Sequence, residues 1–215
     1  NASDANLGSA HAGDTFRDPR HENWEYGNSD FDVRHRFVFS GIYDLPFGKG
    51  RRFASHMTAF ADAFIGGWQL NGIWAVQSGY WFTPFGVNDS CFCEDGNANS
   101  LRPDVVPGQN PNNGPKTADQ WFNLNAFNVD VPAGRHGNAG RNTILGPGLI
   151  NVDMGLHKDF VLHENIRLQF RSDFFNLFNH VNLNAPVADY SNGNIGKILT
   201  STGGRELQLA LKLIF

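Results

Sequence analysis

The end of the chain alternates without a break. Leu207, Leu209, Leu211, Leu213 and Phe215 fall on one parity, and Glu206, Gln208 and Lys212 on the other. Successive side chains of a β-strand point to opposite faces, so this run makes one apolar and one polar face. A helical period would scatter the same leucines around a cylinder. The pattern recurs upstream. In 149–161, Ile150, Val152, Met154, Leu156 and Phe160 oppose Asn151, Asp153, His157 and Asp159. In 166–179, Ile166, Leu168, Phe170 and Phe174 oppose Arg167, Gln169, Arg171 and Asp173. In 31–47, Val33, Phe37, Phe39 and Tyr43 oppose Arg34, Arg36, Ser40 and Asp44, with Val38 and Ile42 as exceptions. In 67–82, Trp68, Leu70, Trp74, Val76 and Tyr80 share one parity. A further strand is expected to start near Ile195.

The connections are of two kinds. Leu45-Pro46-Phe47-Gly48-Lys49-Gly50 and His163-Glu164-Asn165 read as short turns. Residues 83–148 and 180–194 read as long loops rich in Asn, Gly and Pro, and 1–30 as an irregular extracellular segment before the strands of 31–215. Residues 52–66 fit either a short amphipathic helix or an irregular strand. Strands of ten or more residues match the ~9–11 that cross a bilayer at a tilt. Short turns on one side and long loops on the other are the asymmetry of a transmembrane β-barrel. The fold class is therefore all-β, an antiparallel transmembrane β-barrel. A soluble β-sandwich would alternate in the same way with its polar face in water. Five or six strands are too few to close alone, since single-chain barrels start at about eight. The strands are expected to be the C-terminal part of a larger barrel.

Composition narrows the function. A net charge of -4 argues against a nucleic-acid partner. No stretch approaches the roughly 18 apolar residues of a membrane-spanning helix. The eight histidines, at 11, 21, 35, 56, 136, 157, 163 and 180, form no HExxH pair, and there is no GxSxG or phosphate-binding loop. The expectation is no enzyme, no catalytic residue, no metal and no cofactor. Cys91 and Cys93 fit a disulfide, a contribution to a metal site with Asp89, Glu94 and Asp95, or plain loop thiols; four-ligand zinc spacing is missing. Asp95-Gly96-Asn97-Ala98-Asn99 lacks the closing Glu of a calcium loop. Arg34, Arg36, Asp153, Asp159, Arg167, Arg171 and Asp173 are placed on the lumen face, because Arg facing lipid costs about 2–4 kcal/mol at mid-bilayer. Trp121, Phe122, Phe127 and Arg135 offer stacking and charge, and are the ligand-contact candidates of the long loop.

The ordered set of motifs resembles the C-terminal part of a TonB-dependent outer-membrane receptor of the Oar-like group. The matching segments are Phe31-Asp32-Val33-Arg34-His35-Arg36-Phe37, Tyr43-Asp44-Leu45-Pro46-Phe47-Gly48-Lys49-Gly50 and Gly66-Gly67-Trp68-Gln69-Leu70-Asn71-Gly72. Gly137-Asn138-Ala139-Gly140-Arg141-Asn142, Gly146-Pro147-Gly148, Leu168-Gln169-Phe170-Arg171, Phe174-Phe175-Asn176-Leu177-Phe178-Asn179-His180 and Leu211-Lys212-Leu213-Ile214-Phe215 follow in order. The resemblance implies a wall segment of a transporter in the cell outer membrane, with a plug and a TonB-contacting segment upstream of Asn1. It implies that Phe215 is a true C-terminus, and that Leu207, Leu209, Leu211, Leu213 and Phe215 form the signal read by the barrel-assembly machinery. The implied partners are outer-membrane lipid, that machinery, the TonB complex and an unknown solute. An outer-membrane adhesion or structural barrel, and a secreted β-sandwich that binds carbohydrate, are the alternatives.

Overall fold

A computed structural model describes residues 18, 21–92, 101–163 and 166–215. The chain divides into two compact units. One holds 1–35, 77–149 and 182–202; the other holds 36–76, 150–181 and 203–215.

The second unit is the strand body. Five long strands form one sheet: β1 (Arg36–Asp44), β2 (Trp68–Gln77), β7 (Leu149–His163), β8 (Ile166–Phe175) and β9 (Glu206–Ile214), in the spatial order β1-β2-β7-β8-β9. The antiparallel registers carry each parity from strand to strand. Met154 faces Phe174, which faces Leu207; Phe160 faces Leu168, which faces Leu213; Phe170 faces Leu211. On the other face Gly155, Asp173 and Gln208 line up, as do His157, Arg171 and Ala210, and Asp159, Gln169 and Lys212. Register is fixed this firmly because a one-residue slip would exchange the two faces.

The apolar face is uncovered. All nine residues of β1 are exposed, and Leu211 is 68% and Ile42 72% accessible. A sandwich would bury one face of every strand against a second sheet. Among the described residues the other sheets have two strands each. The sheet is open, with β1 and β9 at its edges, rather than closed into a barrel. Unpaired edge groups are not tolerated in hydrocarbon, so a membrane barrel built on this sheet would need more strands than these five. No helix is long and apolar enough to cross a membrane among the described residues.

Several expected boundaries shift. The first strand begins at Arg36, which leaves Arg34 outside it, and the second ends at Gln77. No strand forms near Ile195, whose N–H instead closes a turn onto Asn192 O. Within 52–66 a single helix, α1 (Ala59–Ile65), follows Thr58, whose hydroxyl accepts the Ala61 N–H at 3.3 Å. The 163–165 turn lies partly outside the described residues.

The first unit carries its own core. Short strands β3 (Trp81–Phe82) and β6 (Ile144–Leu145) pair, as do β4 (Asp104–Val105) and β5 (Phe127–Asn128). Phe82, Phe122, Ala126, Phe127, Ala139 and Ile144 are buried together, with Trp121, Leu124 and Tyr190 packed on them. The Phe122 ring meets Phe82 edge to face at 5.9 Å and Phe127 at 6.5 Å. Burial pushes the Tyr190 phenol well above its ordinary range. The part from 101 to 148 is thus folded around a core, which is how so long a connection holds together.

Candidate functional site

Two places gather chemistry: the polar face of the sheet and the loop unit.

On the polar face, Gln69 Nε2 donates to Asp44 Oδ1 at 3.0 Å. Asn71 lies 3.2 Å from His157 Nδ1, and His157 Nε2 lies 2.9 Å from Asp173 Oδ1. Arg171 reaches the other Asp173 oxygen at 3.3 Å. Gln169 donates to Asp159 at 2.9 Å, while Arg167 stands 3.9 Å from the same carboxylate. Gly155 leaves room for this cluster, since a Cβ there would lie 2.4 Å from Asn71 Oδ1 and 2.6 Å from Asp173 Oδ1. Asp153 accepts the Asn176 N–H at 2.9 Å where β8 ends. Asn176 also bonds His180 in both directions and sits at φ 49°, a left-handed conformation Asn tolerates. The row is a set of cross-strand pairs on one face. Arg36 stands exposed at the start of β1.

Arg34 is elsewhere. Its guanidinium lies 4.7 Å over the Trp81 ring, inside the loop unit, and donates to Asn28 at 3.4 Å. Conversely, Lys158 falls on the apolar parity of β7. Its ammonium donates to Gly66 O and lies over the Phe160 and Trp68 rings. A lysine stem packs on apolar surface while its head finds a polar partner.

The loop candidates separate. Phe122 and Phe127 are core residues with 0% and 6% exposure, which leaves almost no ring surface for a ligand. Trp121 is half-buried and its Nε1–H donates to Leu145 O at 2.8 Å. Arg135 forms a two-pronged pair with Asp104, with one arm at 2.8 Å. None of the four lines the cavity of this unit. That cavity, of 360 Å³, is walled by Gln77, Tyr80, Trp81, Phe82, the 146–149 turn, the 182–185 segment and Thr202. Three aromatic rings and three amide side chains stand in the wall, and it contains no Lys, Arg, Asp or Glu. The Tyr80-Trp81 pair and the two Asn of 182–184 were visible signals for it, but their meeting is long-range. Cys91 is disulfide-bonded; Cys93, and with it the local geometry of Cys91-Phe92-Cys93, lies outside the described residues.

The cavity wall depends on a backbone-to-backbone approach. A Cβ at Gly79 would lie 2.0 Å from Gly146 O and 2.5 Å from Pro147 O. Backbone cannot swing aside as a side chain can. Gly79→Ala is expected to cost about 1–3 kcal/mol, read as a lowered denaturation midpoint of the loop unit. Close by in sequence, Asn142 ties three segments. Its N–H donates to Thr83 Oγ1 at 2.9 Å and its amide to Asn28 O at 2.7 Å.

The Asp104–Arg135 pair makes this unit sensitive to acid. The Arg135 hydrogen bond, aided by the Asn138 N–H, holds the Asp104 carboxyl below the usual carboxylate range against an opposing effect of burial. A lowered folded-state pKa stabilises fully above the unfolded value of about 4, and the gain is lost as pH falls through the folded value. Arg135→Ala should therefore lower the denaturation midpoint at pH 6, and the gap to wild type should shrink by pH 3. A gap that is the same at both pH values would show that the pair does not carry it.

A family model described as an outer membrane beta barrel domain matches residues 1–208. No curated protein and no solved structure matches the chain.

Proposed function

Because this chain belongs to the outer membrane β-barrel domain family and so resides in the outer membrane, we propose that it forms wall and loops of a TonB-dependent, receptor-like transporter that takes up a solute. The apolar face of β1, β2, β7, β8 and β9 meets lipid, and the paired polar face lines the lumen. The short-turn end lies in the periplasm and the long connections lie outside the cell. Energy enters through the TonB complex, by way of a plug domain as in the receptors this chain resembles. The barrel-assembly machinery reads β9 and Phe215. No covalent chemistry is needed of these residues, and the protein acts as a conduit rather than an enzyme.

The observation that carries the uptake reading is the uncharged, aromatic- and amide-lined cavity of the loop unit. Concave sites with a few placed polar groups suit a small molecule, whereas adhesion to a surface asks for a broad exposed face. The absence of charge from the wall points to a neutral polar solute. The test compares a strain deleted for the gene with one deleted for the TonB energiser. Growth medium is profiled for solutes that each strain fails to deplete. The uptake reading expects one solute to persist in both. Unchanged depletion with altered cell attachment would favour the adhesion barrel instead.

A further inference from the structure

The β1–β2 connection runs from 45 to 67 and carries its own helix, α1. Helix α1 buries no residue. Phe60 and Phe64 stand 78% and 58% exposed on one helical face, with ring centroids 5.2 Å apart. Ahead of the helix, Phe47 and Phe53 form a second exposed ring pair at 5.6 Å. The turn between them is tight: Phe53 N–H donates to Pro46 O at 2.9 Å and Gly48 N–H to Phe53 O at 3.1 Å. That closure puts Lys49, Arg51 and Arg52 at an exposed tip. Residues 45–67 set these three cations against one acid, Asp62, in a chain whose net charge is -4. Asp62 Oδ1 accepts the Lys49 backbone N–H at 2.6 Å.

This patch is continuous with the lipid-facing side of the sheet. Trp68 Nε1 donates to Phe64 O at 2.8 Å, tying α1 to the first residue of β2. The Trp68 ring meets Phe170 edge to face at 6.1 Å, on the parity that faces lipid. Aromatic rings beside cations, at the end of an apolar band, match the headgroup level of a bilayer.

We propose that the β1–β2 connection is a membrane-surface anchor that binds anionic phospholipid headgroups. Phe60, Phe64, Phe47 and Phe53 enter the interfacial layer, and Lys49, Arg51 and Arg52 hold the phosphates. The proposal rests on the outer-membrane placement and not on solute uptake, so either can fail alone.

The full protein is reconstituted in phosphatidylcholine vesicles that contain either brominated phosphatidylglycerol or brominated phosphatidylcholine, and tryptophan quenching is compared. At low salt the anionic lipid should quench as though enriched roughly 3-fold at the protein surface. Raising the salt to about 0.5 M should bring wild type close to parity by screening. Replacing Lys49, Arg51 and Arg52 together by Gln should abolish the preference at low salt. Equal quenching by the two lipids in wild type at low salt would overturn the anchor. So would a preference that survives either high salt or the triple substitution. The salt comparison uses wild type alone and stands even if the variant fails to fold.

Discussion

Replacing Arg102 with Met is expected to destabilise the loop unit by about 3–5 kcal/mol. Arg102 and Glu25 are both fully buried, and their side chains are paired across 77 residues of sequence. Removing the guanidinium takes away the positive charge that lies against the buried Glu25 carboxylate, and breaking a buried pair from one side costs more than the pair contributed. The loss should appear as a lower denaturant midpoint in the fluorescence of half-buried Trp121. Restoring apolar balance with Glu25→Leu in the same chain should recover a large part of it. By contrast, Arg135→Ala breaks an ion pair whose Arg is 46% exposed, and its effect should be much smaller. An Arg102→Met variant as stable as wild type would mean that the buried pair does not hold the unit together.

Leu211→Arg is expected to cost about 2–4 kcal/mol of folding stability in a bilayer, because it puts a cation into hydrocarbon. Leu211 lies opposite Phe170, in the middle of β9. The neighbouring change, Ala210→Arg, faces the polar side beside Arg171 and should cost far less. Urea titration of the protein folded into vesicles measures both. Equal costs for the two substitutions would remove the assignment of faces.

The strand body was legible because lipid on one side and polar side chains on the other impose a strict two-residue period. Three of its five strands follow a parity readable in Ile150–Phe160, Ile166–Phe174 and Leu207–Phe215, while in β2 Ile73 and Ala75 share the parity of Gln69 and Asn71. In β1, Val38 and Ile42 break that parity. Lys158 interrupts the apolar parity of β7, and nothing local shows how its charge is satisfied, because the Gly66 carbonyl lies 92 residues away in sequence. Arg34 misled: its spacing continues the strand, but the backbone leaves the sheet before Arg36 and the guanidinium stacks on Trp81. The loop unit was the least legible part. Phe82, Phe122, Phe127, Ile144 and Tyr190 come from separate stretches with no shared period, so nothing local marks Phe122 and Phe127 as core rather than as ligand contacts. The same holds for the cavity, whose wall joins Tyr80 and Trp81 to the 146–149 and 182–185 segments. Turn motifs fared better. Asn142 and Asn176 both take left-handed backbone and spend their side chains on tying segments together.

In the proposed barrel the odd-numbered residues of β9 face lipid and the even-numbered ones face a wet lumen. Single cysteines placed from 207 to 213, with Cys91 and Cys93 replaced by Ser, can be spin-labelled in the bilayer-inserted protein. Accessibility to oxygen is then compared with accessibility to a water-soluble nickel chelate. A two-residue oscillation is expected, with oxygen maxima at Leu207, Leu209, Leu211 and Leu213 and chelate maxima at Gln208, Ala210 and Lys212. A flat profile, or one with the two sets exchanged, would contradict it.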